Sequence, residues 1–189
     1  MRPELKLGLY LVTDERLSRG RATAELVRAA IRGGIDAVQL RGKDLPVREQ
    51  LAIGRELRAI TREAGVLFIV NDRVDLALAL DADGVHVGQD DLPAEVVRQL
   101  VGPEMIIGVS AATIPEALAA RAAGADYLGV GAIYGTATKL DAGAATGTAL
   151  LGTIAGAVVS AIVAAADPEA AARDLQRRIA AALRRVDER

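Results

Sequence analysis

Short apolar runs alternate with helically spaced segments along most of the chain. The pattern predicts a first strand over Leu7 to Thr13, a helix over Thr23 to Arg32 that stops at Gly33-Gly34, and a second strand over Ala37 to Leu40. Pro46 opens a helix with apolar positions at helical intervals from Val47 to Ala64, ending at Gly65. A third strand, Leu67 to Val70, breaks at Asn71-Asp72, and a short helical stretch follows. A fourth strand, Gly84 to Val87, stops at Gly88-Gln89-Asp90-Asp91. Pro93 starts a helix to about Val101, Met105 to Val109 is a fifth strand ending at Ser110, Pro115 to Ala123 is helical, and Tyr127 to Val130 is a sixth strand. A last amphipathic helix starts at Asp167-Pro168 and runs to about Val186. A weak internal echo runs through the units, because Asp36, Asp83 and Asp126 each lead into a strand.

This alternation implies a parallel sheet covered by helices. Reactive-looking groups follow nearly every strand: Thr13, Gln39, Arg41, Lys43, Asn71, Asp72, Asp91, Ser110, and then Thr136, Thr138 and Lys139. An open doubly wound sheet gathers such groups mainly at one switch point, whereas an eight-stranded (β/α) barrel places them all around its mouth. The expected fold is therefore α/β, a TIM (β/α)8 barrel, in a single domain over residues 1–189. Barrels usually need at least ~200 residues, and this chain is shorter. Beyond residue 131 only one strand is clear, Ala157 to Ser160. The unit around strand 7 is expected to be missing or shortened, with an atypical segment at about 140–157. The stretch from Ala142 to Ala166 carries no charge, and Gly152 and Gly156 form a GxxxG. Its Ala, Gly, Thr and Ser are poor drivers of membrane insertion, and it lacks basic flanks and aromatic belts. A glycine-rich loop and a buried last strand are expected there.

Composition narrows the chemistry. Apolar residues make up 51% of the chain and aromatics only 2%, so the core must be built from Ala, Val, Leu and Ile. A net charge of −2 gives no electrostatic case for nucleic acid. There is no cysteine, which excludes disulfides, thiolate zinc and Cys nucleophiles. His86 is the one histidine, so a multi-His metal site is impossible. It sits between two valines, where a hydrogen-bonded core residue and a catalytic one are both open readings. The charged N-terminus lacks a signal peptide's apolar region, and a cytoplasmic location is expected.

Two strands joined by a helix bring Asp72 and Asp91 to the same rim. Carboxylates on one rim repel unless a cation or proton lies between them. Few protein oxygens, completed by substrate phosphate, suit Mg²⁺; the bland alternative is turn and cap acids. Gln39, Arg41 and Lys43 alternate at a strand end and so are expected on one face. The bidentate fork of Arg41 and the point charge of Lys43 suit a diphosphate. Thr136-Ala137-Thr138-Lys139, two hydroxyls and a lysine in a loop, suits a phosphate. Ser110 shows no partner from sequence, and no Ser/His/Asp triad, Walker A or GxGxxG motif is present.

These motifs together resemble the thiamine-phosphate synthase family. The resemblance rests on Tyr10-Leu11-Val12-Thr13-Asp14, Gln39-x-Arg41-x-Lys43, Phe68-Ile69-Val70-Asn71-Asp72-Arg73, Asp83 to Asp91, Gly108-Val109-Ser110, Ala125-Asp126-Tyr127-x-Gly129-x-Gly131, Thr136-x-Thr138-Lys139 and Val159-Ser160-Ala161-Ile162, in the family's order. It implies a transferase on a (β/α)8 barrel that joins 4-amino-5-hydroxymethyl-2-methylpyrimidine diphosphate to 4-methyl-5-(2-phosphoethyl)thiazole and releases diphosphate. It implies that Gln39, Arg41, Lys43, Asn71, Ser110 and Lys139 hold the pyrimidine diphosphate, with Arg41, Lys43, Ser110 and Lys139 carrying the catalysis. Asp72 and Asp91 would hold Mg²⁺, and Thr136, Thr138, Val159 and Ser160 the thiazole phosphate. The chain departs from the family pattern at Ala132 and Gly135, where members usually carry proline, and in the short link from Leu140 to Gly156, where the family has a helix, a strand and a further helix. The rival expectations are a thiazole tautomerase-like or regulatory relative, or an inactive barrel that binds thiamine precursors. The partners expected are small molecules, with no nucleic acid and no membrane.

Overall fold

The computed structural model of the chain describes residues 3–5, 7–130, 156–158 and 160–187. Its contacts fall into two compact units, a central one of Ile69–Thr153 with Met1–Leu5 and a split one of Lys6–Phe68 with Ile154–Arg189.

In the split unit, β1 (Leu9–Val12) pairs in parallel with β2 (Ala37–Leu40), setting Tyr10 opposite Ala37. On its other edge β1 pairs in parallel with β7 (Gly156–Val158), setting Leu9 opposite Gly156. Every residue of β1 and β2 is buried, which is why both read as mainly apolar runs, broken in β2 only by Gln39, rather than as alternating ones. The helices are α1 (Thr23–Arg32), α2 (Val47–Ala64), α6 (Ser160–Val163) and α7 (Pro168–Asp187). α2 ends as predicted at Gly65, whose φ of +66° gives the left-handed cap that glycine adopts without strain. α1 packs against both α2 and α7. Its approach to α7 is close: a Cβ on Gly33 would stand 2.5 Å from the Cβ of Ala172.

β3 (Leu67–Asn71) crosses the boundary between the units. Within the split unit, Leu67 N–H donates to the Asp36 carbonyl at 3.1 Å. From Ile69 onward, in the central unit, β3 pairs in parallel with β4 (Gly84–Val87), β4 with β5 (Ile106–Ala111), and β5 with β6 (Tyr127–Val130). In chain order α3 (Val74–Ala79), α4 (Ala94–Val101) and α5 (Ile114–Ala122) separate these strands. Two of the echoed aspartates have a structural role through their side chains. Asp36, just before β2, accepts the Leu9 N–H at the start of β1 through Oδ2 at 2.7 Å. Asp126, just before β6, accepts the Ile107 N–H of β5 at 2.8 Å and also binds Arg98 Nη2 at 2.8 Å. Each carboxylate thus supplies an acceptor to an early N–H of the strand one unit back.

Every pairing described is parallel, so the fold is α/β, with seven strands among the described residues against the eight of a full barrel. Two boundaries differ from the sequence expectation. β5 stays paired with β6 through Ser110↔Gly129 and Ala111↔Val130, so Ser110 lies inside the strand rather than after it. β7 pairs with β1 only as far as Val158, and Ser160 then opens α6 instead of ending the strand. Thr136, Thr138, Lys139 and Val159 lie outside the described residues, as does most of the atypical segment. Among the described residues no helix is long and apolar enough to cross a membrane.

Candidate active site

In the split unit the candidate chemistry gathers at the C-terminal ends of β1 and β2. Thr13 N–H donates to the Gln39 carbonyl at 2.9 Å, and Thr13 Oγ1 accepts the Arg41 N–H at 3.0 Å. Thr13 is therefore a latch between two chain segments rather than a reactive hydroxyl. Arg41 Nη1 binds Asp14 Oδ2 at 2.9 Å; the two side chains are 13% and 4% exposed. Asp14 Oδ1 also accepts the Arg16 N–H at 3.0 Å, capping a 3₁₀ turn over Glu15–Leu17. The carboxylate is thus held at both oxygens, and it holds the guanidinium in turn. Arg41 Nε and Nη2 have no protein partner among the described residues. They keep one edge of the fork for an outside acceptor.

A cleft of about 260 Å³ opens here, lined by Asp14, Arg16, Arg41, Lys43 and Asp44 among others. The expectation that Gln39, Arg41 and Lys43 share one face does not hold. β2 ends at Leu40, and a turn closed by Leu45 N–H donating to the Gly42 carbonyl at 3.0 Å carries Lys43 out of the extended backbone. Arg41 and Lys43 both line the cleft. Gln39, 5% exposed, instead donates from Nε2 to the Tyr10 hydroxyl at 2.9 Å. Asp14, which holds Arg41, is the residue of this cleft that sequence reasoning passed over. Its signal was available, since it stands two residues past the apolar run of β1, as Asp72 stands two past Val70.

In the central unit, Asn71 ends β3, and its side chain has no protein partner among the described residues. Asp72 follows with φ +61°, and Arg73 N–H donates to the Asn71 carbonyl at 2.6 Å across it. A three-residue turn with positive φ at its centre is a rare, strained conformation. A second bond anchors it, Asp72 N–H donating to the His86 carbonyl at 2.7 Å. Asp91 accepts the Gly88 N–H through Oδ2 at 2.7 Å, while its Oδ1 takes no hydrogen bond among the described residues. Neither acid caps a helix: Arg73 is the N-cap of α3 and Pro93 that of α4. Arg73 is engaged with Asp75 at the start of α3, and that bond holds the Asp75 carboxyl below its usual range.

Ser110, which showed no partner in sequence, has one. His86 Nε2 lies 3.0 Å from Ser110 Oγ, and His86 Nδ1 lies 3.0 Å from the Tyr127 hydroxyl. The imidazole is 8% exposed, so His86 is a hydrogen-bonded buried residue.

Among the described residues no three His, Cys, Asp or Glu side chains come together as a closed cage for a metal. The donor set that is present consists of hard carboxylate oxygens following two neighbouring parallel strands, with Asp91 Oδ1 still without a donor. That fits Mg²⁺, which commonly takes one or two carboxylates and completes its octahedron with water and phosphate oxygens.

A family model described as thiamine monophosphate synthase matches residues 9–182. The thiamine-phosphate synthase of Roseiflexus sp. strain RS-1 is 47% identical over 203 aligned positions, taking in 93% of this chain and 86% of the relative. That of Moorella thermoacetica is 47% identical over 196 positions, covering 89% of this chain and 93% of the relative. Both alignments are longer than the 189 residues of the chain, so each relative carries residues with no counterpart here. Among solved structures, thiamine phosphate pyrophosphorylase from Pyrococcus furiosus superimposes with a TM-score of 0.80 at 38% identity, covering 93% of this chain and 96% of that one. A parallel α/β fold and a match across nearly the whole chain lead to one assignment: the chain belongs to the thiamine monophosphate synthase family and is a transferase.

Proposed function

We propose that the chain joins 4-amino-5-hydroxymethyl-2-methylpyrimidine diphosphate to 4-methyl-5-(2-phosphoethyl)thiazole, in the cytoplasm, on a (β/α) barrel shortened around strand 7. The observation that carries this reading is Arg41. Its guanidinium is fixed by the buried Asp14, yet keeps Nε and Nη2 for an acceptor. In the reaction the bond from the pyrimidine methylene carbon to the diphosphate oxygen breaks, and the diphosphate leaves with the electron pair. The aminopyrimidine delocalises the positive charge left at the methylene. The thiazole nitrogen then forms the new carbon–nitrogen bond, so no protein nucleophile and no proton transfer is required. Arg41 and Lys43 stabilise the charge that grows on the leaving group. Gln39 and Asn71 orient the pyrimidine diphosphate, and Ser110 and Lys139 complete its contacts. Asp72 and Asp91 hold Mg²⁺, which when bound supplies Lewis-acid stabilisation of the departing diphosphate. Thr136, Thr138, Val159 and Ser160 take the thiazole phosphate.

The shared site is tested by titration calorimetry with inorganic diphosphate. Diphosphate is expected to bind more tightly when Mg²⁺ is present, and Asp72→Ala to weaken both ligands together. Diphosphate affinity that does not respond to Mg²⁺ would sink the shared site.

A second expectation follows from the relatives' extra residues. The pyrimidine side draws on residues before 140, whereas the thiazole side draws on the segment in which the chain departs from the family pattern. A 189-residue chain of verified intact mass is expected to bind pyrimidine diphosphate with Mg²⁺ well, to bind thiazole phosphate weakly, and to turn over poorly. Tight thiazole phosphate binding by that same protein would show that the shortened unit does not matter.

A further inference from the structure

The proposed chemistry leaves one buried polar cluster of the central unit unused. His86 on β4 bridges Ser110 on β5 and Tyr127 on β6, at 3.0 Å on each ring nitrogen. The space for the ring is built into the backbone. A Cβ on Gly108 would stand 2.5 Å from His86 Nδ1, and one on Gly129 would stand 2.8 Å from His86 Cε1. Two glycines on the two strands beyond β4 thus leave a slot the size of an imidazole. Packing alone would be met by any apolar side chain, and this slot instead holds the chain's single histidine with both nitrogens hydrogen-bonded.

We propose that His86 is a positioning residue that sets the direction of the Ser110 hydroxyl, and that it does so as the Nε2–H tautomer with Tyr127 donating to Nδ1. The inference rests on the reading that Ser110 contacts the pyrimidine diphosphate. A serine hydroxyl has one proton to donate and two lone pairs to offer, and its rotor follows its partner. If Nε2 carries the proton, it donates to Ser110 Oγ, and the serine proton is left for the substrate. Ser110 has no other side-chain partner among the described residues. If Nδ1 carries the proton instead, Nε2 takes the serine proton, and Ser110 turns only lone pairs toward the ligand. Lone pairs repel an anion, so a ligand rich in phosphate oxygens selects the first arrangement. The Tyr127 hydroxyl can donate or accept and so complements it.

With one histidine in the chain, the two-bond nitrogen–proton spectrum of uniformly ¹⁵N-labelled protein contains a single ring. The Nε2–H tautomer is expected in wild-type protein saturated with pyrimidine diphosphate and Mg²⁺, and a dominant Nδ1–H form overturns the proposal. Steady-state kinetics supply the second readout. His86→Ala is expected to raise KM for pyrimidine diphosphate about tenfold, in keeping with a lost hydrogen bond to a charged group. In a Ser110→Ala background the same change is expected to have less than about twofold effect, because coupled residues are not additive. His86→Gln, which can present an N–H near the position of Nε2, is expected to recover part of the loss. An undiminished effect of His86→Ala in the Ser110→Ala background means that His86 acts by packing, and overturns the inference while leaving Ser110 as a substrate contact. Unchanged kinetics in Ser110→Ala itself instead removes Ser110 from the substrate, and this inference with it.

Discussion

Arg41→Lys is expected to lower turnover by at least roughly tenfold, equivalent to about 1.4 kcal/mol of barrier. The arginine does two things at once. Nη1 binds the buried Asp14 at 2.9 Å, and the Nε and Nη2 donors face no protein acceptor among the described residues. A lysine ammonium is a single point charge, so it can complement Asp14 or a diphosphate but lacks the planar fork that meets both. Serving the ligand would leave Asp14, 4% exposed at its side chain, with only the longer 3.6 Å contact to Arg16 Nη2; serving Asp14 would leave the departing charge without the fork. Asp14→Asn is expected to lower turnover as well, because it removes the charge that holds the guanidinium while leaving Arg41 in place. The measurement is the steady-state rate at saturating substrates, with thermal unfolding run beside it. Wild-type rates in Arg41→Lys would dismiss Arg41 as the leaving-group ligand.

Gly108→Ala is expected to destabilise the protein by about 3 kcal/mol, the upper end of ordinary overpacking. The added Cβ would stand 2.1 Å from Tyr127 Cζ and 2.5 Å from His86 Nδ1. Relief requires both rings to move, which strains the hydrogen bond between the Tyr127 hydroxyl and His86. Urea unfolding followed by circular dichroism measures the change, read from the midpoint at constant slope. A loss below about 0.5 kcal/mol, the level of a neutral surface change, would mean that the slot is looser than these distances imply.

The elements were legible in the sequence because parallel strands buried on both faces read as bare apolar runs, and because Gly33, Gly65 and Pro115 mark helix ends. The partners of the site residues were not legible, because each is made by residues distant in the chain. Asp14 and Arg41 are 27 residues apart, His86 and Ser110 are 24 apart, and His86 and Tyr127 are 41 apart. Such pairs depend on register, as in Ser110 lying opposite Gly129 rather than a bulky residue. Arg41 and Lys43 both line the cleft, but not by strand alternation, because β2 ends at Leu40 and the turn at Gly42 takes Lys43 out of the extended run. From sequence the apolar run of β5 ends at Val109, with Ser110 after it, whereas pairing with β6 carries β5 on to Ala111. The strained turn at Asp72 left no mark in the sequence, since an aspartate after a strand looks the same with either sign of φ.

The pairing of Leu9 with Gly156 has a consequence for the chain as it leaves the ribosome. β3 through β6 occupy one continuous stretch and can assemble as they emerge. β1 is made first but receives β7 only after well over a hundred further residues have been translated. Until then its outer edge is a nascent template of unpaired N–H and C=O groups, the kind of edge that recruits stray strands. The face of α1 that α7 covers is bare over the same interval. Ribosome-associated chaperones are therefore expected to engage the first sixty or so residues and to let go only once β7 and α7 have been made.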